Sequence, residues 1–201
     1  MIDAVIFDIG NVLLKFDYMI AARRLMEHNG LSEPPDRARI VAAKDALESG
    51  RIDRPEFLRL VRPEFSHTGA DADFIAMWED IFEENKPLTG IASALAANGM
   101  PTYLLSNISC IHHEFIFRRY PVFSTFRDGV YSYKAGALKP EAIIFEKAIA
   151  QFGVDPARTL YIDDLAENVA AAERAGLRGI VYDFNGHAAA EEKIRAHGVV
   201  W

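Results

Sequence analysis

The chain opens on a short apolar run, Val5-Ile6-Phe7, which ends on a single carboxylate, Asp8, and continues through Gly10-Asn11 into Val12-Leu13. The run is too short for a helix and is rich in β-branched and aromatic residues, so it predicts a buried strand. Asp8 then stands at the strand's carboxyl end, with a Gly-Asn turn after it. The period next becomes helical. Apolar residues at helical spacing run from Tyr18 to His28 and stop at Asn29-Gly30, a C-terminal signal. A second helix opens after Pro34-Pro35 and passes through Ile40, Val41 and Leu47 to Ser49-Gly50. Asp53-Arg54-Pro55-Glu56 predicts an N-cap with proline in the first turn, leading into Phe57, Leu58, Leu60 and Val61. A polar loop covers Arg62 to Gly69. A last helix is expected from Asp71 to Glu84, with Phe74, Ile75, Trp78, Ile81 and Phe82 on one side. Nothing between Phe16 and about Asn85 predicts a strand.

From Pro87 strand and helix alternate. Strands are expected at Thr102–Leu105, Gly129–Ser132, Thr159–Ile162 and Gly179–Tyr182. Helices are expected at Leu88–Ala97, Ile111–Arg119, Pro140–Phe152, Leu165–Ala175 and His187–Ala196. This alternation predicts an α/β fold, a doubly wound, Rossmann-like parallel sheet covered on both faces. Residues 1–15 and 86–201 would form the core domain and residues 16–85 an inserted helical domain, with hinges at Lys15-Phe16 and Asn85-Lys86-Pro87.

Composition narrows the function more than the fold. The 201 residues carry a formal charge of −7, which argues against nucleic acid as a partner, because that needs a basic stripe. A single cysteine, Cys110, leaves no internal disulfide. No signal peptide and no membrane-spanning run is read. The expectation is a soluble, cytoplasmic protein without a membrane partner, as a monomer or a homodimer.

Three strand ends carry polar groups: Asp8, Ser106-Asn107 and Asp163-Asp164. In a parallel sheet these fall on one edge, where ligands bind. Carboxylates gathered there repel one another unless a cation sits between them, and oxygen donors of this kind suit Mg²⁺. Ser106-Asn107 is expected at a helix start, a favourable place for an anion. Lys139, before Pro140, can bring an ammonium to the same edge. Singly, each residue reads as an ordinary cap or turn residue. Together they suit phosphoryl transfer, with Asp8 attacking phosphorus to form an aspartyl phosphate.

The succession Phe7-Asp8-Ile9-Gly10-Asn11-Val12-Leu13, Leu105-Ser106-Asn107, Leu138-Lys139-Pro140 and Tyr161-Ile162-Asp163-Asp164 resembles the four motifs of the haloacid dehalogenase (HAD) superfamily. The resemblance covers essentially the whole chain, and the insertion resembles that superfamily's small α-helical cap. The motif wording, with Ser132 to Phe145, is most similar to bacterial phosphatases of sugar phosphates such as α-glucose 1-phosphate. The resemblance implies a Mg²⁺-dependent phosphatase of a small phosphorylated metabolite. It makes Asp8 the nucleophile, with Ser106 and Asn107 at the phosphoryl group and Lys139 tying nucleophile to phosphate. Asp8, the Gly10 carbonyl, Asp163 and Asp164 would surround the metal, Asp164 as the direct ligand. Gly10 and Asn11 would line the substrate.

One departure stands out. Gly10 occupies the place of the aspartate that in most such phosphatases protonates the leaving oxygen and activates water. The cap or a good leaving group could make up for it. Otherwise the chain is a slow enzyme, or a non-catalytic phospho-ligand or protein-binding module on the same fold. A 2-haloacid dehalogenase is the other enzymatic alternative, and Asp163-Asp164 argues against it. Arg51, at the Ser49-Gly50-Arg51 turn, is a candidate substrate contact from the cap. Asp17 and Tyr18 could lie near the leaving group, although an N-cap role suits Asp17. Of His112-His113, one is expected solvated and one packed, since adjacent helix residues face apart.

Overall fold

The computed structural model describes all 201 residues, Met1–Trp201. Its strands are β1 (Ala4–Phe7), β2 (Leu14–Phe16), β3 (Phe82–Glu84), β4 (Thr102–Ser106), β5 (Asp128–Tyr131), β6 (Thr159–Asp163) and β7 (Arg178–Val181). Its helices are α1 (Tyr18–Asn29), α2 (Arg37–Glu48), α3 (Arg54–Val61), α4 (Asp71–Glu79), α5 (Lys86–Ala97), α6 (Cys110–Arg119), α7 (Ser132–Ala135), α8 (Ala142–Phe152), α9 (Ala166–Arg174) and α10 (His187–Ala196). No helix is long and apolar enough to cross a membrane.

The main sheet has the order β5-β4-β1-β6-β7 and every pair is parallel. β1 is central and buried along its whole length, which is why it reads as a continuous apolar run rather than an alternating one. Later strands add on both sides of it, so the strand order switches direction at β1, where a crevice opens. The register aligns Phe7 with Leu104 on one side and with Ile162 on the other. The next residues along the three strands, Asp8, Leu105-Ser106 and Asp163, therefore reach the same edge. The α/β architecture with a helical insertion agrees with the expectation from the sequence pattern.

The main difference lies in the insertion. The expected helix Asp71–Glu84 ends at Glu79, and Phe82–Glu84 forms a strand antiparallel to Leu14–Phe16. Ile81 and Phe82 fit a helical apolar face as well as a strand, and the deciding partner lies far away in sequence: Phe82 pairs with Phe16, their rings 6.3 Å apart. The two crossings between sheet and insertion are thus one hydrogen-bonded ribbon. Asn85 fastens it. Its N–H donates to the Leu13 carbonyl at 2.9 Å, and its buried amide donates to the Val12 carbonyl and to Tyr182 Oη, each at 2.6 Å.

The helices of the insertion pack Leu25, Leu47, Phe57, Phe65, Phe74 and Trp78 into a core of their own, which Ile111 of α6 joins. His112 follows on the same helix and is buried. Its ring stacks on Trp78, with centroids 6.3 Å apart, and its Nε2 lies 3.3 Å from the Trp78 carbonyl. His113 is half-buried between Phe117 and Tyr131, so neither histidine is fully solvated.

Burial lowers the His112 pKa from 6.5 to about 4. The unfolded chain therefore binds this proton first as pH falls, and stability complete above pH 6.5 is lost between 6.5 and 4. At about 1.4 kcal/mol per unit, the loss is at most about 3.5 kcal/mol. Denaturant titrations at pH 7 and pH 4.5 are expected to show a smaller difference for His112→Gln than for the natural chain.

Candidate active site

Asp8 leaves β1 with its N–H donating to the Ile162 carbonyl at 2.9 Å, so the sheet itself fixes where its carboxylate starts. Asp8, Asp163 and Asp164 each bring an oxygen to within 4.8 Å of the others. Lys139 enters from the loop before α8. Its Nζ lies 2.8 Å from Asp8 Oδ1 and donates to Asp163 Oδ2 at 2.7 Å and to the Leu105 carbonyl at 3.2 Å. All of this is buried: Lys139 is 5% exposed, Asp8 7% and Asp163 0%.

The two carboxylates next to Lys139 differ. Asp163 is saturated by the protein. Its Oδ2 accepts from Lys139, Tyr161 Oη and Asn168, and its Oδ1 from the Leu165 N–H and Asn168. Burial works against its charge, but Lys139 and these donors hold its carboxyl below the usual range. Asp8 Oδ1 is buried too, and the nearby ammonium is not aligned to donate to it. Burial pushes the Asp8 carboxyl up to about 6; Lys139 opposes this shift and Asp163 adds to it. Asp164, at the outer side, is raised by burial and accepts from Asn11 Nδ2 at 3.1 Å. Three carboxylates face one ammonium, and one of their oxygens lacks an aligned donor. That donor set fits a hard divalent cation.

The turn after Asp8 has a backbone cause. Asn11 has a φ of 52°, a left-handed conformation that asparagine tolerates, and its N–H donates to the Leu14 carbonyl at 2.7 Å. Gly10 beside it is covered by the Phe16 ring. A Cβ on Gly10 would meet Phe16 Cε1 at 2.7 Å.

Neither Ser106-Asn107 nor Lys139 stands at a helix start, contrary to the expectation from the sequence. Ser106 is buried at the end of β4, but α6 begins at Cys110, with Ser109 as its N-cap accepting from the His112 N–H. Ser106 therefore ends the strand and Asn107 opens the connecting loop. Asn107 is engaged there by the Lys139 backbone: its Oδ1 accepts from the Lys139 N–H at 2.8 Å and its Nδ2 donates to the Lys139 carbonyl at 3.0 Å. α8 begins at Ala142, beyond Lys139, and the Lys139-Pro140 peptide is cis.

Above the acids opens a cavity of about 760 Å³ between sheet edge and insertion. Asp8, Gly10, Asn11, Ser106, Asn107, Lys139 and Asp164 form its floor. Its far walls are mostly apolar, with Met19, Met26, Pro35, Ile40, Trp78 and Phe82 among them. A second cavity of about 920 Å³ runs along β5 and α8 and contains none of these motif residues.

Arg51 is not brought to the site. It is exposed and does not line the cavity. Gly50, at φ 71°, turns the chain against the Tyr133 backbone and sends Arg51 outward. Another residue close to this turn faces the cavity. Glu48, three positions earlier on the last turn of α2, lines the cavity together with Lys44 and Tyr18. The sequence pattern did not single out Glu48. Its signal, an acid one turn before a glycine stop, is too common to mark a site.

The chain matches the haloacid dehalogenase-like hydrolase family over residues 2–176. It is similar to a HAD family enzyme from Bacteroides thetaiotaomicron, solved with magnesium and inorganic phosphate (TM-score 0.76, 23% identity, 91% of this chain and 95% of that one). It is also similar to a predicted HAD-like family hydrolase from Porphyromonas gingivalis (TM-score 0.78, 25% identity, 97% and 98%). In sequence it is 22% identical to the sesquiterpene phosphatase astK of Aspergillus oryzae over 181 residues, 88% of each chain. The strand-end acids, the buried lysine and the family match across most of the sequence place this chain in the haloacid dehalogenase-like hydrolases.

Proposed function

We propose that the chain is a Mg²⁺-dependent phosphomonoester hydrolase that forms an aspartyl phosphate on Asp8, and that its substrate is the phosphate ester of an alcohol with a bulky apolar group. The observation that carries the chemistry is the contrast between Asp163, fully engaged by protein donors, and Asp8, whose buried Oδ1 has no aligned donor. That contrast leaves Asp8 to react and gives Asp163 the task of holding Lys139. In this reading Lys139, Ser106 and the backbone at Asn107 hold the phosphoryl oxygens. Asn107 positions Lys139 from the other side. The metal would be held by Asp8, the Gly10 carbonyl and Asp164, with Asp163 behind them, and it would supply positive charge to the phosphoryl oxygens. The magnesium and phosphate of the Bacteroides relative support this assignment.

In this reading residues 1–15 and 86–201 are the core that carries the strand-end residues, and residues 16–85 the cap over it; the ribbon between them supports this division. The substrate class follows from the cap. The motif wording resembles phosphatases of sugar phosphates, but Met26, Pro35, Ile40 and Trp78 give the far walls a broad apolar surface beside the polar groups of Tyr18, Arg37, Lys44 and Glu48. A cavity of this size and lining suits a larger apolar body, and the sesquiterpene phosphatase among the relatives supports the same reading. A metabolite of this kind, met in the cytoplasm, is the proposed partner.

Phosphate release from a chromogenic aryl phosphate is expected to need Mg²⁺, to stop with EDTA, and to fall below detection in Asp8→Asn while the fold is kept. In a series of straight-chain alkyl phosphates, each added methylene buried in the cavity is worth up to about 0.8 kcal/mol, or roughly fourfold in kcat/KM. A flat series, or a preference for glucose 1-phosphate, would show that the apolar walls do not select the substrate.

A further inference from the structure

Position 10 holds no acid, and the Phe16 ring fills the space that a side chain there would enter. The acids lining the cavity are Asp8, Asp17, Glu48 and Asp164. Asp8 and Asp164 belong to the strand-end cluster. Asp17 caps α1 by accepting from the Met19 N–H and pairs with Arg23 at the surface. Glu48 is the acid that remains.

Glu48 is built into the wall. Its side chain is 13% exposed; Tyr18 Oη donates to its Oε1 at 2.9 Å and Lys44 Nζ to its Oε2 at 3.0 Å. Its backbone carbonyl accepts from Ser132 Oγ at 2.5 Å, and that hydroxyl also accepts from the Ile108 N–H at 3.0 Å. Ile108 directly follows Asn107, so Glu48 is fastened to the loop that leaves β4 after Ser106 and carries Asn107. It therefore faces the cavity from the insertion side, where the alcohol part of an ester must lie when its phosphorus meets Asp8.

Resting on the phosphatase reading above, we infer that Glu48 is the acid–base of this site and does the work of the acid absent at Gly10. As an Asp8 oxygen bonds to phosphorus and the ester P–O bond breaks, the departing alkoxide takes the Glu48 proton and leaves as the alcohol. The Glu48 carboxylate then takes a proton from a water whose oxygen attacks phosphorus. The bond between phosphorus and Asp8 breaks, inorganic phosphate leaves, and Glu48 is protonated again. Opposing influences act on the Glu48 proton. Burial raises the Glu48 carboxyl and Asp45 adds to the rise, while Lys44 and Tyr18 oppose it. His112, 3.5 Å from Tyr18 Oη, is neutral around pH 7.

The test is Glu48→Gln, whose amide oxygen still accepts a hydrogen bond, assayed with Mg²⁺ on a nitrophenyl phosphate and an alkyl phosphate. Nitrophenolate leaves without a proton and an alkoxide does not. The kcat/KM for the alkyl ester is expected to fall by ~10²–10⁴. The kcat/KM for the aryl ester is expected to stay within about twofold on the same grounds, with a burst of nitrophenolate as the aspartyl phosphate waits for water. An equal fall on both esters, or none on the alkyl ester, overturns the assignment and leaves the phosphatase reading standing. If the natural chain hydrolyses neither ester, both readings fall. Leaving-group dependence in the natural chain gives a check that needs no variant. A shallow slope of log kcat/KM against leaving-group pKa supports protonation, and a steep one overturns it.

Discussion

Everything at the sheet edge depends on one buried ammonium. Lys139 Nζ lies between Asp8 and Asp163, within 2.8 Å of each, in a place closed to water. Two carboxylates on neighbouring strand ends are unfavourable there without a counter-charge. Burial disfavours the charge on Lys139 as well, but Asp8 and Asp163 more than offset this and raise its pKa. The lysine's own position is set by Asn107, which grips its backbone on both sides, and by the Leu105 carbonyl. β4, the loop before α8, β6 and β1 are thus locked together through a single side chain. The lock is asymmetric: Lys139, Tyr161, Asn168 and Leu165 all donate to Asp163, while Asp8 Oδ1 has the ammonium at 2.8 Å but no aligned donor.

The insertion completes the site by a different kind of force. Its helices bury an aromatic core of their own, and the β2–β3 ribbon fastens it to the sheet through Asn85 and Tyr182. Phe16, on that ribbon, turns its ring onto Gly10. The glycine therefore does two things: it allows a tight turn after Asp8 and it makes room for the cap's ring. The ring in turn moves the question of proton transfer from the strand end to the cavity wall, where Tyr18, Lys44 and Glu48 form a polar patch among apolar neighbours.

Reading the chain alone reached the floor of the site and, of its walls, only Asp17 and Tyr18. Asp8, Ser106, Lys139 and Asp163-Asp164 were legible because each follows an element whose period is unmistakable, and a parallel sheet brings strand ends to one edge. Arg51 was misplaced because the direction of a side chain after a helix depends on the local turn. Here Gly50, in a left-handed conformation, points Arg51 outward while Glu48 faces inward. Ile81-Phe82 was read as helix because a strand of three residues has no period long enough to detect, and its partner Phe16 lies 66 positions earlier.

The sequence by itself determined the alternation of strands and helices, the place of the insertion and the chemical type of the floor. These rest on local periodicity and on the geometry shared by all parallel sheets. Only the tertiary structure decided which carboxylate is saturated and which is free, since that depends on donors from Tyr161, Asn168 and Leu165 converging on Asp163. Only it showed that Phe16 covers Gly10 and that the far walls of the cavity are mostly apolar, with Glu48 among them. Contacts between residues far apart in the chain are fixed by packing, and packing leaves no periodic trace in the sequence.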